Sequence, residues 1–214
     1  MIRHMLAATT VMALLFLLTL GAPHASADVV TLQLTSDHCT GGCLSTGQTS
    51  AGTITITDIS GGVTVTVALI SGDKFMGQGG QGGDFGFNLI GNPTIAGSAS
   101  PNDYTLNSTS AGSIHLDGTG NFEYAFSATF PNGAGNAKTG PYTFTITGSG
   151  VTSSSFETNG SGQYFAVDIL GANGNTGFVD ASTRTQTVPD GGMTLMLLGG
   201  ALVGLESLRR KFRV

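Results

Sequence analysis

The chain has 214 residues, 34 of them glycine, with no tryptophan, 8 Lys+Arg against 13 Asp+Glu, and a formal charge of −5. At 40% hydrophobic and only 10% charged, against about 25% charged in an average domain, it is too apolar for ordinary disorder and is expected to fold. Glycine has no every-third-residue period and basic residues cluster only at the two ends, which excludes a collagen helix and a nucleic-acid groove.

The first element is an address. Arg3 and His4 precede an apolar stretch over residues 5–20, which ends in Gly21-Ala22-Pro23 and then Ala25-Ser26-Ala27. A short basic region, an apolar core and an A-x-A site are the parts of a secretory signal peptide, so residues 1–27 are expected to be removed by signal peptidase after Ala27, with Ala25 and Ala27 as the recognised small residues. The helix-breaking Gly-Ala-Pro disfavours a retained membrane helix.

The body, residues 28–187, is long enough for one core that buries roughly 68–70% of the unfolded surface. It holds three basic residues (Lys74, Lys138, Arg184) and eleven acidic ones, a balance of −8. Such a domain avoids anionic lipid and nucleic acid and attracts cations. Cys39 and Cys43, the only cysteines, flank Thr40-Gly41-Gly42. In an oxidising compartment they are expected to close a small disulfide loop. A metal site of His38, Cys39, Cys43 and Asp37 is the alternative, short of strong ligands.

Thr53-Ile54-Thr55-Ile56-Thr57 and Val63-Thr64-Val65-Thr66-Val67 alternate apolar and hydroxyl side chains, the period of half-buried strands. Asp58-Ile59-Ser60-Gly61-Gly62 joins them with hairpin-turn residues. Further strands are expected at 29–35, 85–90, 113–117, 122–130, 142–147 and 164–170, with Phe122, Tyr124, Phe126 and Ala128 on one face. Residues 77–83, five of them glycine, form a loop. Ser50-Ala51-Gly52-Thr53-Ile54 is echoed by Ser110-Ala111-Gly112-Ser113-Ile114; a structural echo would mark equivalent strands in two halves, and the low complexity of the chain favours coincidence over it. About eight short strands between Gly/Asn/Ser/Pro turns predict an all-β fold, a single β-sandwich with jelly-roll or Greek-key connections.

Chemistry-bearing residues are sparse in the body. Its only histidines are His38 and His115. His115 and Asp117 lie two apart on a predicted strand and are read as a surface pair rather than an acid-base dyad. The 117–123 segment spaces oxygen side chains as calcium loops do, yet lacks the sixth-position glycine and the acidic twelfth residue. No cofactor is therefore expected, and calcium among the acidic loops is the one ion the charge balance favours. Tyr104, then Tyr142, are the aromatic candidates for a sugar platform, and Asp58 with Asp117 a pair of carboxylates for hydrolysis.

At the C-terminus Val188-Pro189-Asp190-Gly191-Gly192 precedes an uncharged, mostly apolar run over 193–205 and a basic end with Arg209, Arg210, Lys211 and Arg213. Taken to residue 208, the run as a helix spans roughly 24 Å against a hydrocarbon core of about 30 Å, and the basic end stays cytoplasmic. The order motif, short apolar helix, Arg cluster resembles the PEP-CTERM sorting signal, with Asp190 where the commonest form has Glu and Gly191 where it has Pro. The resemblance covers residues 188–214. It implies a Gram-negative exporter, recognition by an exosortase-like protease, a transmembrane helix before processing, and delivery to the cell surface or exopolysaccharide matrix. A retained anchor is the alternative and shares that topology. The expected function is non-catalytic, structural or adhesive, with polysaccharide as a partner; a carbohydrate-binding module is the alternative and a secreted hydrolase the third reading.

Overall fold

The computed structural model describes residues 28–77, 82–108 and 112–187, together with Arg209. The chain runs through β1 (Val29–Gln33), β2 (Ser36–Asp37), β3 (Gly52–Ile59), β4 (Gly62–Leu69), β5 (Lys74–Phe75), β6 (Phe85–Leu89), β7 (Ala96–Ser100) and β8 (Tyr104–Ser108). It continues through β9 (Ile114–Leu116), β10 (Gly120–Phe122), β11 (Tyr124–Ala128), β12 (Tyr142–Thr147), β13 (Phe156–Glu157), β14 (Phe165–Leu170), β15 (Thr176–Ala181) and β16 (Arg184–Thr187). Among the described residues of the body, only Ala134–Asn136 and Ser153–Ser155 are helical, each a single 3-10 turn.

Fourteen of the strands form two antiparallel sheets, and β9 and β10 form a separate two-stranded hairpin. The first has the order β16-β1-β3-β4-β12-β7; the second runs β2-β15-β14-β6-β11-β8, with β13 beside β6 and β5 beside β14. Alternation decides which side chains enter the core: Ile54 and Ile56 of β3, Val63, Val65 and Val67 of β4, and Tyr142, Phe144 and Ile146 of β12 are all buried. Rings from the two sheets meet in the core between them. Phe85 of the second sheet stacks on Phe144 of the first at 4.6 Å between centroids, and Phe126 meets the same ring at 4.6 Å. Each such ring contributes roughly 1.5–3 kcal/mol by burial, and each ring pair about 0.5–1.5 kcal/mol more. The all-β layering expected from the alternation is therefore present.

The outer face of the second sheet is closed as well. Ile114, Leu116 and Phe122 of the β9–β10 hairpin pack on Ala125, Ala166 and Phe178 in a second, smaller core. Gly86 permits this approach: a Cβ there would stand 2.5 Å from Leu116 Cδ1 and 2.9 Å from Phe122 Cγ. Strands β6 and β14 are consequently buried on both faces.

One expectation is corrected. Residues 122–130 are not one strand: Phe122 pairs with Ile114, whereas β11 begins at Tyr124. Between them the Glu123 N–H turns to Asn88 Oδ1 at 2.8 Å, so the alternation restarts and Phe122 joins the outer core while Tyr124, Phe126 and Ala128 join the main one. The Ser-Ala-Gly echo falls on unlike elements, an interior strand of a six-stranded sheet and a two-stranded hairpin, with residues 109–111 outside the described ones. Residues 78–81 of the glycine-rich loop also lie outside them.

Candidate functional site

The disulfide expected from composition is formed: Cys39 and Cys43 are joined, with 5.5 Å between their Cα atoms. Two residues in left-handed backbone, Gly41 and Gly42 at φ +83° and +78°, let so short a loop close. Asp37, at the end of β2, organises it. Its carboxylate accepts the N–H of Cys39 at 3.0 Å, Cys43 at 2.7 Å and Leu44 at 2.9 Å. Burial pushes the Asp37 carboxyl upward, but the three donors outweigh it and hold the group below the ordinary carboxylate range. From the turn after β14, Asn173 and Asn175 each donate to the Gly42 carbonyl, at 2.8 and 2.7 Å, which straps the loop to the second sheet.

The same loop gathers Asp37, Cys39 and Cys43 with ligand atoms within 4.8 Å of one another. Here the sulfurs are bonded to each other and the carboxylate oxygens take three backbone donors, so this set is spent on folding. His38, the fourth residue of that alternative, points elsewhere: its Nε2 lies 2.6 Å from Asp180 Oδ2. Asp180 on β15 is buried, which raises its carboxyl, and the His38 contact works against that rise.

A second acidic group, not anticipated from the sequence, lies where β14 changes neighbours. It pairs with β6 over Phe165, Ala166 and Val167 and with β5 at Ile169 and Leu170. Between those partners the Asp168 N–H donates to the Asp84 carbonyl at 2.8 Å, and the Asp168 carbonyl accepts from Met76 at 3.0 Å. Asp168 is 5% exposed. Burial, followed by the charge of Asp84, pushes its carboxyl up to about 7. The Asp84 carboxylate accepts the Ala128 N–H at 2.7 Å.

Tyr104 and Tyr142 are not a sugar platform. They are 3% and 1% exposed and meet edge to face with ring centroids 5.0 Å apart. The Tyr142 hydroxyl donates to Asp103 at 2.7 Å. Burial raises both phenols, with Asp84 adding to the rise at Tyr104 and the Asp103 hydrogen bond at Tyr142. Both rings fill the main core because Tyr104 pairs with Ala128 and Tyr142 with Val67, inward positions of their neighbours.

His115 and Asp117 form the surface pair expected of them: 3.8 Å apart, with side chains 53% and 89% exposed. His115 Nδ1 is also 2.8 Å from Asn121 Oδ1. The oxygens of the 117–123 segment serve a turn. The Thr119 hydroxyl donates to the Leu116 carbonyl at 3.1 Å, and the Thr119 carbonyl accepts from Asn159 at 2.9 Å. Asp58 is not joined to Asp117; it lies on β3 of the first sheet and accepts the Ser153 N–H at 2.5 Å, whereas Asp117 belongs to the hairpin outside the second.

The first sheet's outer face carries a pattern that single-strand reading does not reveal. Thr31, Thr55, Thr66, Thr143 and Ser100 stand directly opposite one another in β1, β3, β4, β12 and β7. They form one unbroken row of hydroxyl side chains across five strands. Thr57, Thr64, Thr145 and Ser98 form a parallel row two residues away. The hydroxyls of Thr66 and Thr143 are 3.0 Å apart. All nine side chains are partly or fully exposed, and no outward position on these five strands is charged.

Ala25, Ala27, the motif residues Val188, Pro189, Asp190, Gly191 and Gly192, and Arg210, Lys211 and Arg213 lie outside the described residues; Arg209 is described and exposed. Among the described residues no helix is long and apolar enough to cross a membrane. No family model, curated protein or solved structure matches the chain.

Proposed function

We propose that this is an exported, non-catalytic protein of a Gram-negative cell surface or exopolysaccharide matrix, sorted by a PEP-CTERM/exosortase-type system, with a structural or adhesive role. The carrying observation is the order of the chain: an apolar N-terminal stretch ending in Ala25-Ser26-Ala27, a strand-built body, then Val188-Pro189-Asp190-Gly191-Gly192, a short apolar run and a basic end. On this reading the leader is removed by signal peptidase, the tail spans the membrane as a helix before processing, and the exosortase-like protease acts at the motif.

The body suits that role. Its two histidines are engaged with Asp180 and with Asn121 and Asp117, and its cysteines with each other. The chain passes repeatedly from one sheet to the other, at β1–β2, β2–β3, β4–β5, β6–β7, β7–β8, β11–β12, β12–β13 and β15–β16, which supports jelly-roll-like connections within a β-sandwich.

Deleting residues 188–214 in the producing cell tests the sorting. The protein expressed with its tail is expected at the surface and in the matrix, trimmed at both ends, and the truncated protein in the periplasm. Identical distributions would overturn the proposal.

A further inference from the structure

We infer that the outer face of the first sheet is a binding face for a neutral, extended polysaccharide chain lying across the strands along the row Thr31, Thr55, Thr66, Thr143, Ser100. Only the place where the protein meets such a chain rests on the surface-or-matrix reading; the binding itself is argued from the geometry of the row.

Adjacent strands are roughly 4.8 Å apart, about the length of one pyranose residue in an extended chain, so a polymer running perpendicular to the strands meets one hydroxyl side chain per sugar. Four of the five are threonines. Threonine is branched at Cβ and restricted at χ1, so the hydroxyls are held in place before a ligand arrives and little rotamer freedom is lost on contact. Each threonine presents a hydroxyl, both donor and acceptor, beside a methyl. This pairing matches the hydroxyl rim and C–H faces of a pyranose.

Charge selects the class of polymer. The outward positions of β1, β3, β4, β12 and β7 carry no charged side chain, so no ion must be desolvated along the row. The body around it carries −8, which repels an acidic polysaccharide. Twist selects a chain over a planar crystal face. Neighbouring strands rotate by about 20–25°, which a flexible polymer can follow across five strands and a flat lattice such as ice cannot. The two sheets also differ: the β9–β10 hairpin closes the outer face of the second, whereas the rows on the first remain partly exposed.

The test uses the full-length chain purified in detergent, presented with regenerated amorphous cellulose, alginate beads and growing ice. Wild type is expected to bind cellulose saturably, to leave alginate unbound and to leave ice growth unaltered. The triple variant Thr55→Val, Thr66→Val, Thr143→Val keeps side-chain shape and removes three hydroxyls; its melting temperature checks folding, and its affinity for cellulose is expected to fall at least tenfold. Thr55→Lys, which places a charge in the row, is expected to lose binding too. No retention of wild type on cellulose, equal retention of the folded triple variant, preference for alginate, or altered ice growth without cellulose binding would each overturn the inference. Because the purified chain is assayed, failure here leaves the sorting proposal standing, and binding by a chain found in the cytosol would overturn sorting alone.

Discussion

Replacing Asp168 by asparagine tests whether a buried acid makes this fold less stable as pH rises. The folded protein holds the Asp168 carboxyl at about 7, whereas in the unfolded chain it titrates near 3.9. Between those values the folded state retains a proton that the unfolded state has released, so stability is fully present below the unfolded pKa and is lost as pH rises through the folded one. Each pH unit in that window costs about 1.4 kcal/mol, and from pH 5 to pH 8 the group accounts for a loss of about 3 kcal/mol. Asparagine reproduces the shape of the protonated acid without its charge. Urea denaturation of residues 28–187, followed by circular dichroism at pH 5 and pH 8, is expected to show this fall in wild type. In Asp168→Asn most of the slope should disappear, leaving the part contributed by Asp73, Asp180 and Glu123, whose carboxyls burial also raises. Equal stability of wild type at the two pH values, or a variant as steep as wild type, would refute the reasoning.

Three further outcomes follow from the same structure. Reducing the Cys39–Cys43 bond, or replacing both residues by alanine, removes a five-residue closed loop and is expected to lower stability by about 2 kcal/mol in thermal melts. Asp37→Ala strands the N–H groups of Cys39, Cys43 and Leu44 and is expected to cost roughly 2–3 kcal/mol, with faster hydrogen exchange confined to that loop. Because the Asp37 carboxyl lies below its ordinary range, its stabilising contribution is present above the unfolded pKa and lost as pH falls through the folded one. Gly86→Ala drives a methyl into Leu116 and Phe122; limited proteolysis should then cut within residues 112–122, with a loss of about 1–3 kcal/mol.

The parts of the fold that were legible in the sequence are those with one wet and one dry face. β3, β4 and β12 alternate threonine with Ile, Val or Phe, and their spans were anticipated within two residues, β12 to the residue. β7, Ala96–Ser100, was missed because small residues give no hydrophobic period. β15 was missed because its last four residues are buried on both faces and its sequence does not alternate. The break at Glu123 carries no glycine or proline, and only the Asn88 side chain from a distant strand explains it.

The candidate sites divide along the same line. The disulfide was readable from cysteine count and compartment, and the role of Asp37 beside it was not. Asp168 within Phe165-Ala166-Val167-Asp168-Ile169-Leu170 and Asp180 within Phe178-Val179-Asp180-Ala181 had one usable signal, an acid inside an apolar run. The hydroxyl rows need the pairing of β1, β3, β4, β12 and β7, drawn from segments up to 112 residues apart. Register between such distant strands is set by tertiary packing rather than by local pattern.

The most direct test of the account is the intact mass of the native protein recovered from separated cytosol, membrane, surface and medium of its producer. A surface or matrix species that begins at Asp28 and ends near residues 188–192 is expected. A chain running from Met1 to Val214 in the cytosol would contradict it.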